Sequence, residues 1–183
     1  MKKIMLFVLF FLLIACTTEE NEPLEVVDLV PLDGEISGWT RSSAMIVCDN
    51  ETQLYNEING EGQVYIDNGF VRSAFQDFLG DVGSTPQVNL TLWIFDQGDT
   101  ANAKAVYDDV AVGTEIEWTD DGHAGVEARY LLEAGVITPF YVLDFWEDRF
   151  YIWMYINDGS DAGLDVAKLF ALNISQTIQG TIE

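Results

Sequence analysis

The sequence predicts an α+β domain, an antiparallel β-sheet with helices packed against it. Three stretches carry this expectation. Gln87 to Phe95 alternates without a break: Val88, Leu90, Leu92 and Ile94 point one way, Asn89, Thr91, Trp93 and Phe95 the other. Phe140–Trp146 and Arg149–Asn157 repeat that alternation on either side of Glu147-Asp148, the pattern of a hairpin. Between and after them, Ala103, Val106, Tyr107 and Val110 recur at helical spacing, and Leu164 to Ile178 reads as a long apolar-rich helix. Neither an internal repeat nor a second linker interrupts this order, so residues 30–183 read as one domain.

Residues 1–15 have the layout of a secretory signal. Lys2 and Lys3 precede the apolar run Ile4–Ile14, which as a helix spans only about 16 Å, too short to cross a hydrocarbon core of about 30 Å. Leu13-Ile14-Ala15-Cys16 resembles the lipobox of bacterial lipoproteins, in which a small residue precedes a cysteine that is lipidated and becomes the first mature residue. That resemblance implies lipidation of Cys16, a membrane partner reached through the lipid, and a place in the bacterial cell envelope, periplasmic or surface-exposed. Residues 16–29, rich in Thr, Glu, Asn and Pro, read as an acidic flexible tether. Their acidic start is similar to the surface-export signal of some Bacteroidetes lipoproteins.

The elements follow in order. Trp39, between glycine turns, is expected to plug the edge of the core, and Met45–Cys48 is a short strand. Asp49 or Asn50 can cap a helix over Glu51–Ile58, which Asn59-Gly60 stops. Asn68-Gly69 turns into a strand at Phe70–Phe78, and Gly80–Pro86 reads as a loop before the alternating strand. Asp96–Thr100 is a turn ending in a helix cap, and the helix runs Ala101–Ala111. Val126–Tyr130 is a further strand, and Asn157–Gly163 a loop before the last helix.

Trp39, the run Gln53-Leu54-Tyr55-Asn56-Glu57-Ile58-Asn59-Gly60, then Tyr65 and Asn68-Gly69-Phe70 together resemble the opening of a bacterial extracytoplasmic family of unknown function. The likeness continues through Val88–Phe95 and Ala103–Tyr107, and Glu61 departs from the small residue usual after the glycine. It implies a secreted or lipid-anchored α+β domain and carries over no catalytic residue. The order of elements also bears a general likeness to PsbP-like folds.

A formal charge of −23, from 31 acidic against 8 basic residues, argues against nucleic acid and anionic membrane faces as partners. With Cys16 committed to lipid, Cys48 has no partner for a disulfide and, within Ala44–Cys48, reads as a buried thiol. A lone His123 leaves little for zinc or for a nucleophile's base. The acidic loops Asp96–Asp99, Asp120–His123 and Asn157–Asp161 do not fit the twelve-residue calcium loop. With no Gly-x-Ser-x-Gly elbow, phosphate loop or basic cluster, the chain reads as non-enzymatic, without metal or cofactor.

The second face of the predicted sheet carries the candidate site. Trp93 on one strand and Tyr151, Trp153 and Tyr155 on another share it, opposite the aliphatic face of Phe150, Ile152, Met154 and Ile156. Two outcomes are open: helices cover these rings and make them ordinary core, or a half-covered sheet leaves them as a platform for contact. The expected function is a ligand- or partner-binding module, the partner being a protein or a small molecule. The alternatives are a structural accessory subunit of an envelope complex and a calcium-assisted hydrolase.

Overall fold

A computed structural model describes residues 23–60, 62–120 and 122–182. The signal segment, Cys16 and the tether as far as Glu22 lie outside the described residues, as do Glu61 and Asp121. The chain is an α+β domain built on one antiparallel sheet. Its strands are β1 (Thr40–Arg41), β2 (Ile46–Cys48), β3 (Arg72–Val82), β4 (Thr85–Asp96), β5 (Ile116–Glu117), β6 (Glu127–Glu133), β7 (Phe140–Glu147) and β8 (Phe150–Ile156). Their spatial order is β1-β3-β4-β8-β7-β6-β5, with β2 also paired to β3. The helices are α1 (Glu51–Glu57), α2 (Gln63–Asp67), α3 (Thr100–Asp109) and α4 (Asp161–Ile182).

Alternation decides what each face of the sheet meets. The side bearing Leu90, Leu92, Ile94, Ile152 and Met154 packs against α4, whose Ala167, Phe170, Ala171, Ile174 and Ile178 recur at helical spacing and are all buried. Each large side chain sealed this way contributes about 1.5–3 kcal/mol. The other side bears Phe75, Phe95, Trp146 and Tyr151 and lies under α1, α2 and α3 through Leu54, Tyr65, Ala103 and Val106. Capping sets the helix starts: the Asn50 side chain accepts from Gln53 N–H (3.1 Å), and that of Asp99 from Asn102 N–H (2.9 Å).

Several boundaries depart from the sequence reading. The last part of the stretch expected to be a tether is packed instead, with Val26, Leu29 and Val30 buried in the α4-side core. Their spacing puts three apolar residues on one side of a turn, enough to seat an otherwise acidic stretch. The loop expected at Gly80–Pro86 is a tight hairpin between β3 and β4. Gly83 turns it at φ 56°, and Gln87, at φ 56°, takes up the extra residue of a bulge in the β4 pairing. Ser160, inside the expected loop Asn157–Gly163, caps α4, its hydroxyl accepting from Gly163 N–H (3.2 Å). The short β1, α2 and β5 have no counterpart in the sequence reading.

Candidate binding pocket on the aromatic face

The helices cover the aromatic face only in part. Near the β4–α3 turn the cover is tight: Tyr65 of α2 stacks on Phe95 with centroids 3.8 Å apart and planes 7° from parallel. Beyond Asp109 the chain leaves α3 and turns through residues 110–115 to the far edge strand β5. The middles of β8, β7 and β6 are left open between that turn and α2. The opening is a pocket of about 430 Å³, a size that suits a small molecule.

Register brings Trp93, Trp153, Asp144 and Arg129 together in its lining. Phe75, Trp93, Trp153, Asp144, Arg129 and Glu117 are successive cross-strand partners from β3 to β5, so one row across the sheet passes from aromatic to charged. Trp93 and Trp153 lie in contact, centroids 4.6 Å apart and planes at 38°, and both keep part of their surface exposed. Val64 and Tyr65 of α2 stand on one side, Val110, Val112 and Glu115 on the other, and Leu131, Glu133 and Val142 towards the open edge.

The four residues singled out from sequence are therefore separated. Trp93 and Trp153 line the pocket as half-buried rings, and Tyr151 lines it as a fully buried one. Tyr155 lies outside it, one row further along β8. Its ring meets Phe140 (4.8 Å) and its hydroxyl donates to Asn157 Oδ1 at 3.3 Å.

The sequence reading missed the polar end of the row. Arg129 donates to both carboxylate oxygens of Asp144 (Nε to Oδ1 2.9 Å, Nη2 to Oδ2 2.7 Å) and to the backbone oxygen of Tyr107 (2.7 Å). Tyr151 adds a hydroxyl donor to Asp144 at 2.9 Å. The guanidinium lies 4.0 Å from the centre of the Tyr107 ring, and Glu115 approaches its Nε at 3.9 Å. Both Glu115 oxygens are held by backbone, accepting from Val112 N–H (2.7 Å) and Thr114 N–H (2.9 Å). Burial pushes the Asp144 carboxyl above its ordinary range, against the pull of Arg129 and Tyr151. Burial also works against charge on Arg129, but Asp144 outweighs it and holds the guanidinium high. At Glu115 the same opposition of burial is overcome by the backbone N–H groups, and its carboxyl is lowered. The available signal was one ionisable residue of each sign inside two apolar strands.

No family model, curated protein or solved structure matches this chain.

The acidic loops are occupied locally. Asp96 accepts from Arg149 Nε (2.9 Å) and Gly98 N–H (2.8 Å), Asp158 accepts from Ser160 N–H (2.8 Å), and Asp120 approaches Lys168 (3.7 Å). Among the described residues no three His, Cys, Asp or Glu side chains converge as a metal site. Cys48 is a buried free thiol, and its burial raises its pKa, the opposite of what an active nucleophile needs. Among the described residues no helix is long and apolar enough to cross a membrane.

Proposed function

We propose that this chain is a lipid-anchored protein of the bacterial envelope whose domain binds a small organic molecule on the open part of its aromatic sheet face. The observation that carries the reading is the pair of half-buried, touching indoles at the base of a pocket of about 430 Å³. Rigid aromatic rings give large contact area at small entropic cost, and a concave apolar site with a few polar groups is the usual form of a ligand pocket. The polar groups at its base pair with one another, which suits holding a molecule rather than transforming it. The likeness of Gln53–Phe70 to an extracytoplasmic bacterial family, and the lipobox-like Leu13–Cys16, support the location.

Thermal melts of the full chain in a non-ionic detergent test the reading, run with a panel of sugars, lipid headgroups, aromatic acids and amines. A binder of the native state raises stability by about 2.7 kcal/mol at a hundredfold excess over its Kd. The expected result is a shift with one class of compound that Trp153→Ala removes. A panel without any shift, or a shift that survives Trp153→Ala, refutes it.

A further inference from the structure

We infer that the molecule this pocket takes is an organic cation carrying a fully alkylated ammonium group. The inference rests on the ligand-binding reading above and names its chemistry. Trp93 and Trp153, the half-buried rings of the lining, offer ring surface to a ligand, and indole is the strongest side-chain partner for a cation. Three carboxylates, Glu115, Glu133 and Asp144, line the same pocket against one guanidinium, so its formal charge is negative. The chain as a whole carries −23, so its field draws cations inward and repels anions. Arg129, the one cationic side chain in the lining, spends its Nε and Nη2 on Asp144 and the Tyr107 carbonyl.

Hydrogen bonding narrows the class further. Asp144 already accepts from Arg129 and Tyr151, and Glu115 from two backbone N–H groups. At the base, a sugar or a primary ammonium would have to share carboxylates already engaged by Arg129, Tyr151 and backbone N–H groups, and donors buried without partners are costly. A trimethylated ammonium brings none. It needs ring surface and negative potential, the two things this pocket supplies.

The test uses the full chain in a sugar-headed, non-ionic detergent, with tryptophan fluorescence read during three titrations. The probes are choline, its uncharged carbon isostere 3,3-dimethylbutan-1-ol, and ethanolamine as the primary ammonium. Choline is expected to give a saturable change with a Kd about tenfold below those of the other two. Trp153→Leu should abolish that change, and Glu133→Gln, at the exposed rim, should weaken choline alone by a few-fold. The probe comparison is made on the unaltered chain, so it stands even if a variant fails to fold. Equal binding of the uncharged isostere overturns the cation assignment and leaves a small-molecule site standing. Tighter binding of ethanolamine overturns the alkylated class. If choline gives no change while the melting panel finds another ligand, only this inference fails; if neither gives a signal, the pocket reading fails with it.

Discussion

Tyr151 has no exposed surface and donates its hydroxyl to Asp144, so ionising it would set a second negative charge 2.9 Å from a carboxylate inside the sheet. Burial, with that repulsion added, holds its phenol well above the usual value of 10.0, and burial raises Tyr107 as well. The folded chain therefore keeps these two protons at a pH where the unfolded chain releases them. Their stabilising contribution is complete below pH about 10 and is lost as the pH rises beyond it toward the folded pKa values. In an absorbance titration near 295 nm, Tyr107 and Tyr151 of the seven tyrosines should ionise only as the chain unfolds. Tyr151→Phe should flatten the alkaline loss of stability. Titration of all seven before unfolding would show these two phenols to be solvated. Trp93 and Trp153 are legible in the sequence at this scale, because strict alternation assigns each ring to a face. The ion pair beside them is not. Arg129 meets Asp144 through the register of β6 on β7, and neither strand alone encodes that register.

At the scale of elements, the long β3–β4 pair owes its close cover to one missing side chain. Trp39 lies across β3 at Gly80, where an added Cβ would come within 2.4 Å of its indole Cδ2. The same indole is 3 % exposed and meets Phe170 of α4 edge-on, centroids 5.5 Å apart. Gly80→Ala should push Trp39 out of this seat and cost about 1–3 kcal/mol, read as a lower urea midpoint and a shifted indole emission. An unchanged midpoint would mean that Trp39 is free to give way. The sequence reading seats Trp39 at the core edge and is right, but it takes Gly80 as the start of a loop. Glycine marks both loops and places where another group passes close to a strand, and only the partner tells them apart. α2 was missed because five residues are too few to show a helical period. β1 and β5, two residues each, are defined by pairing alone.

At the scale of the molecule, the fold class is fully legible: the alternating strands and the two long amphipathic helices carry it. Which part of the sheet stays open is not, because it depends on where α3 ends and how residues 110–115 cross to β5. The anchor belongs to this scale too. If Leu13–Cys16 is processed as its likeness to a lipobox implies, Cys16→Ser should abolish fatty-acid labelling and release the chain from membranes. Retention of the variant would refute the anchor. Val26, Leu29 and Val30 are packed in the core, so a lipid on Cys16 would leave about nine residues, at most about 30 Å of extended chain, between anchor and domain.

The strand order joins two meanders, β3-β4 and β5-β6-β7-β8, through the β4–β8 pair alone. Each meander can zip locally, whereas this seam brings together segments about sixty residues apart and must wait for the chain to close on itself. The Trp93–Trp153 contact straddles it. The pocket draws its lining from both meanders, so it is absent from either half of the chain and forms only where the halves join.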